Sequence, residues 1–169
     1  MRGAPAASIL VLTLLVLTPV ACGGGGSDAG PLPDRGPRMP AVELGTGAAR
    51  FEPIPDAGGT VELVAGPQGG FHLDVSARLV DLSPDGLRLV YEARDDERVW
   101  SLPTEIDLTR SSVVPEGQRA YLRVGDLLVL DIDEPTQVEG RTVALRVTAR
   151  AADGEMASDE RAVRIVDDE

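Results

Sequence analysis

Apolar and polar residues alternate in short runs along most of the chain after residue 40, and Gly, Pro and Asp separate the runs. The clearest run, residues 71–79, places Phe, Leu, Val, Ala and Leu on one face and His72, Asp74, Ser76 and Arg78 on the other. Successive side chains of a β-strand point to opposite faces. The run therefore predicts a strand with one face in the core and the other in water.

Similar runs, bounded by turn residues, predict further strands at 42–44, 61–65, 87–93, 99–102, 105–108, 119–124, 126–132, 143–149 and 162–166. The sequence Ser83-Pro-Asp-Gly86 predicts a type I turn that joins run 71–79 to run 87–93 as a β-hairpin. Gly125-Asp126 and Asp153-Gly154 predict two further turns.

The spacing of these runs indicates the fold class. Beyond the N-terminal region, no window of eleven or more residues keeps an apolar period of 3.6 residues. About nine short strands with frequent turn signals predict an all-β fold, an antiparallel β-sandwich. We favour an immunoglobulin-like topology, although the chain lacks the Cys, Trp, Cys pattern of antibody domains. A jelly roll or another Greek-key barrel is the alternative.

The first 21 residues differ from the rest of the chain. Arg2 precedes an apolar run of nine residues, Ile9–Leu17, which Thr13 alone interrupts. This run is too short to span a bilayer as a helix and is typical of a signal peptide. The sequence therefore predicts a signal helix within residues 1–21.

The segment Pro19-Val-Ala-Cys22 resembles the lipobox of bacterial lipoprotein precursors. The resemblance implies cleavage before Cys22 and a thioether-linked diacylglycerol on its sulfur, so that several acyl chains hold the protein in a membrane. Gly23, rather than Asp, follows the cysteine. The resemblance therefore implies delivery to the outer membrane, with the domain facing either the periplasm or the medium.

Residues 22–40 are rich in Gly and then in Pro, and they predict a disordered tether between Cys22 and a β-sandwich domain over 41–169. Such a tether reaches at most about 60 Å when extended.

The charge of the chain limits its partners. The formal net charge is −12, and Arg supplies all 16 basic residues. Nucleic acid is a poor partner for such an acidic surface. We expect the membrane, through the N-terminal lipid, and a protein of the cell envelope as partners.

The only histidine, His72, shares a strand face with Asp74 and Ser76. Neighbours on one strand face are about 7 Å apart, too far for a Ser, His, Asp catalytic arrangement. A metal site that combines His72 and Asp74 with a carboxylate from a neighbouring strand stays open. One histidine and no free thiol, however, suit transition metals poorly.

Residues 81–92 match the ligand spacing of an EF-hand loop, with Asp81 and Asp85 at the first and fifth positions. An EF-hand requires flanking helices, whereas both flanks here alternate as strands, so we favour the hairpin. Asp and Glu also cluster in several other predicted turns. Calcium is thus the one cofactor left open, at Asp81 and Asp85 or between acidic loops.

The bend Gly66-Pro-Gln-Gly-Gly70 precedes His72. It resembles the G-P-Q-G-G-x-H stretch of short β-rich lipoproteins from GC-rich Gram-negative bacteria such as the myxobacteria, a resemblance that implies no particular activity. We therefore hypothesise a non-catalytic, lipid-anchored envelope protein whose domain binds a protein or gives structural support. The alternative is a calcium- or carbohydrate-binding sandwich, for which Trp100 is the only tryptophan able to stack on a sugar.

Overall fold

The computed structural model describes residues 37–67 and 69–167. The predicted signal peptide, Cys22 and most of the predicted tether lie outside these residues. The strands are, in chain order, β1 Ala41–Thr46, β2 Glu52–Pro53, β3 Gly59–Glu62, β4 Val64–Ala65, β5 Phe71–Val80, β6 Arg88–Arg94, β7 Thr104–Asp107, β8 Val114–Glu116, β9 Ala120–Leu130, β10 Thr142–Arg150 and β11 Met156–Val166. Two short 3-10 turns, Arg110–Ser112 and Pro135–Gln137, complete the described elements.

The strands form two sheets. Sheet 1 has the order β2-β1-β5-β9-β8, with β4 paired to β5, and sheet 2 has the order β3-β11-β10-β6-β7. Neighbouring strands are antiparallel except for β3 and β11, which are parallel. In immunoglobulin nomenclature, β1, β5, β9 and β8 take positions A, B, E and D, and β6, β10 and β11 take C, F and G. The predicted all-β sandwich is confirmed, with the strand order of the immunoglobulin-like fold.

The core lies between the two sheets and is mainly aliphatic. Its fully buried side chains include Leu73 and Leu79 from sheet 1 and Leu89, Tyr91 and Leu145 from sheet 2. Within β5, the residues predicted to face inward are buried between the sheets, apart from the partly exposed Phe71 at its start. Period-two alternation thus places one face of each long strand in the core.

The predicted hairpin between runs 71–79 and 87–93 is wrong. A turn does form, but one residue later than predicted and not as type I: the Leu87 amide donates to the Pro84 carbonyl at 3.2 Å, and Gly86, its third residue, takes a φ of 78°. However, β5 belongs to sheet 1 and β6 to sheet 2, so the turn carries the chain across the sandwich. We call the end of the sandwich that holds this crossover the turn end; the Gly66–Gly70 bend lies at the opposite end.

The predicted turn at Gly125-Asp126 is also wrong, since β9 runs through it as one strand. Val75 pairs with Asp126 and Ala77 with Arg123, so two residues of β9 lie opposite Ser76 alone, which defines a β-bulge. Gly125 has a φ of 74°. A Cβ atom at this position would overlap the carbonyl oxygen of Ala48. Gly125 is therefore required by both backbone conformation and close approach.

Two other predicted strands do not form as single strands. Run 61–65 changes sheets at Leu63, so that β3 belongs to sheet 2 and β4 to sheet 1. Run 99–102 forms only isolated bridges, with Val99 opposite Arg94 and Ser101 opposite Leu130. Within the described part of the chain, no helix has the length and apolar character needed to cross a membrane.

Candidate functional site

His72 and Asp74 lie together on the outer face of β5. His72 Nε2 is 3.7 Å from Asp74 Oδ1, which is longer than a hydrogen bond. The bend before them is closed by two backbone hydrogen bonds of 3.0 Å, from Gly66 to Gly70 and from Gly69 to Gly66. Gly66 lies beside His72 Nδ1. The bend thus packs against His72, and both side chains are only partly exposed.

An open cavity of about 390 Å³ adjoins Asp74, between β1, β3 and β4. Its lining includes the carboxylates of Glu52 and Glu62 and the hydroxyl groups of Thr46 and Thr60. Glu52 already accepts a 2.6 Å hydrogen bond from Arg50. Across residues 37–67 and 69–167, no three His, Cys, Asp or Glu side chains come together as a metal-binding group.

Ser76 does not lie on a wet face as predicted, because it is fully buried. Its hydroxyl donates to the Gly47 carbonyl at 3.0 Å and accepts from the Gly125 amide at 3.2 Å. The loop after β1 covers this part of the outer face. Ser76 therefore ties that loop to the bulge of β9.

Asp81 and Asp85 lie at the turn end, away from His72 and Asp74. Asp81 has a φ of 57° and forms a two-pronged ion pair with Arg119. Arg119 and, secondarily, the Met39 backbone amide lower the pKa of Asp81. Asp85 instead accepts a 2.8 Å hydrogen bond from the Arg110 amide. Both carboxylates thus have protein partners, and strands rather than helices flank them.

The structure therefore groups the four candidate residues as two separate pairs. The chain matches no protein-family model, no curated protein and no solved structure. Cys22 lies outside the described residues.

Sequence reasoning missed a buried polar cluster between the sheets. Asp126 accepts hydrogen bonds from Arg123 Nε at 2.8 Å and Nη2 at 2.5 Å, and from the Tyr91 hydroxyl at 3.3 Å. Arg123 also donates to the Ser112 carbonyl at 2.9 Å. Burial, and then the charge of Asp126, hold the pKa of Tyr91 well above its usual value. These hydrogen bonds connect the two sheets, so we assign the cluster a role in stabilising the fold.

Trp100 is 5% exposed and therefore offers no surface for a sugar ring. The guanidinium carbons of Arg98 and Arg141 lie 4.4 Å and 4.9 Å from its ring centroid. Its indole nitrogen makes no hydrogen bond of good geometry, but it lies near Asp95. The Arg98 amide, and secondarily this indole, lower the pKa of Asp95. The arginines and the acid thus enclose the only tryptophan.

Three neighbouring exposed apolar side chains lie on the outer face of sheet 1 at the end of β9, and we call them the apolar stripe. Leu102 is 45% exposed, Leu127 52% and Val129 38%. Leu127 and Val129 alternate with the buried Leu128. The Leu102 amide donates to the Val129 carbonyl at 2.8 Å. Val114, which is also exposed, pairs with Leu122 on the other side of the Gly125 bulge and lies apart from these residues. The stripe is continuous because Leu127 and Val129 share one face of β9 and Leu102 lies beside Val129.

Proposed function

We propose that this protein is a lipid-anchored protein of the bacterial outer membrane whose immunoglobulin-like domain binds another envelope protein and has no catalytic role. The lipobox-like segment ending at Cys22 supports the anchor. The apolar stripe supports the binding role, since exposed apolar patches bordered by polar residues often mark interaction sites. We take the stripe as the single observation that carries the proposal.

The area of the stripe indicates the kind of partner. Three partly exposed aliphatic side chains present on the order of 200 Å². A stable pair of folded domains buries about 800 Å² on each side. The stripe is therefore too small to hold a second folded domain by itself, and it suits an extended polypeptide segment with apolar residues at alternate positions.

The charges beside the stripe indicate which charge the partner segment should carry. Arg78, on the same face, is neutralised by Glu43 at 3.4 Å and Glu116 at 2.5 Å. Asp74 pairs directly with Leu127 across the sheet, and its carboxylate lies 3.7 Å from His72 Nε2. A partner segment with an Arg or Lys next to its apolar residues would complement Asp74.

The anchor and the binding surface can be tested in the same expressing bacteria. Mass spectrometry of the mature N-terminus should find a diacylglycerol thioether on Cys22; an unmodified cysteine would contradict the lipoprotein assignment. A photo-crosslinking amino acid at Leu127 should give a discrete adduct that Val129→Arg removes. The matched control is Met156→Arg, which changes an exposed apolar residue of sheet 2 and should leave the adduct intact. No adduct, or equal loss with both variants, would contradict the binding role.

A further inference from the structure

Asp81 and Arg119 hold the segment that enters the domain. The Met39 backbone amide donates to Asp81 Oδ2 at 3.1 Å, and Arg119 Nη2 donates to the Pro37 carbonyl at 3.4 Å. Arg119 also makes a two-pronged ion pair with Asp81. The segment of residues 37–39 is thus bound by both members of one ion pair, 42 to 82 residues further along the chain.

The burial and backbone conformation of Asp81 are consistent with a specific role in binding residues 37–39. Its side chain is 8% exposed, although it carries a charge and lies in the turn that leaves β5. Its φ of 57° is unusual for any residue with a side chain, and Asp and Asn tolerate it best. Its backbone amide donates to the Arg119 carbonyl at 2.8 Å, which brings the end of β5 to the start of β9.

We propose that Asp81 and Arg119 form a clamp that fixes residues 37–39 across the ends of β5 and β9. Without it, the ordered chain would begin at β1, whose first residue pairs with Val80. With it, the point at which the N-terminal segment leaves the domain moves from the edge of sheet 1 to its two central strands. This inference goes beyond the proposed function and does not require lipidation of Cys22.

Trypsin tests the clamp on the full-length chain. Cleavage between Arg38 and Met39 requires this segment to leave the domain and extend into the protease. Asp81→Gly removes the carboxylate and accepts the positive φ. We expect this variant to raise the rate of cleavage after Arg38, relative to that after Arg35, about tenfold, as for loss of a charge-assisted hydrogen bond. Asp81→Asn should give a smaller increase.

The matched control is Asp85→Asn, which alters a second carboxylate of the same turn that does not contact residues 37–39. It should leave the cleavage ratio unchanged. Hydrogen exchange of the Met39 amide gives a measurement on the unaltered chain, so the test survives if Asp81→Gly does not fold. An unprotected Met39 amide, or an equal effect of the Asp81 and Asp85 variants, would overturn the clamp. Repeating the digestion with Cys22→Ser separates this result from the lipoprotein assignment, because the clamp should protect Arg38 equally in both forms.

Discussion

The buried pair of Arg123 and Asp126 should respond unequally to loss of its two members. The Asp126 side chain is 2% exposed, whereas that of Arg123 is 25% exposed. Arg123→Met leaves a buried carboxylate whose remaining partner is the Tyr91 hydroxyl. Asp126→Asn leaves a partly hydrated guanidinium that still donates to the Ser112 carbonyl.

The expected costs follow from this difference in burial. Breaking a buried ion pair by removing one partner typically costs about 3–5 kcal/mol, which we expect for Arg123→Met. Asp126→Asn keeps an acceptor oxygen and leaves the exposed partner charged, so we expect about 1–2 kcal/mol. Replacing both charges by apolar groups, as Arg123→Met with Asp126→Leu, should cost less than Arg123→Met alone because no buried charge remains.

Equilibrium unfolding in urea measures these free energies, and the single tryptophan, Trp100, supplies the fluorescence signal. An Asp126→Asn cost equal to or above that of Arg123→Met would refute the reasoning. So would a double variant that costs as much as Arg123→Met alone.

Two further predictions concern backbone and titration. Gly125→Ala should lower the thermal stability of the domain by more than Gly117→Ala. Both glycines have a positive φ, which costs an alanine about 1–2 kcal/mol, but only at Gly125 would the added Cβ also overlap Ala48. Equal losses of stability would contradict the close contact. The pKa of Tyr91 is higher in the folded state than in the unfolded state. The contribution of its protonated hydroxyl to the free energy of unfolding is therefore complete below the unfolded-state pKa of about 10, and it is lost as the pH rises through the folded-state pKa. Stability should therefore fall above about pH 10, and Tyr91→Phe should reduce that fall; an unchanged slope would contradict the assignment.

The alternating runs predicted the strands well but not their partners. Period-two patterning reports which face of a strand is buried, and β5 and β6 each have one buried face. The predicted turn at 83–86 has the local chemistry of a hairpin whether the next strand pairs with β5 or crosses to the other sheet. That choice depends on packing against β10, which lies more than fifty residues later.

The sites were harder to predict because their contacts are distant in sequence. Asp81 resembles a calcium ligand when only its neighbours are considered, and its actual partner, Arg119, is 38 residues away. Ser76 alternates as a solvent-facing residue, yet a loop 29 residues earlier covers it. Gly125 correctly predicted a residue with positive φ, but positive φ occurs both in turns and in β-bulges, so the residue alone could not distinguish the two.

The clamp also determines how the domain would carry mechanical tension. β1 pairs antiparallel with β5 and starts at the turn end, so a pull on its first residue would separate the strands one pair at a time, like a zipper. Tension that arrives through residues 37–39 instead meets Asp81 and Arg119 first and passes to β5 and β9, the pair with the longest shared ladder in sheet 1. If the domain is held at its N-terminal side, the ion pair would carry the tension first and so protect the pairing of β1 with β5 from being pulled apart.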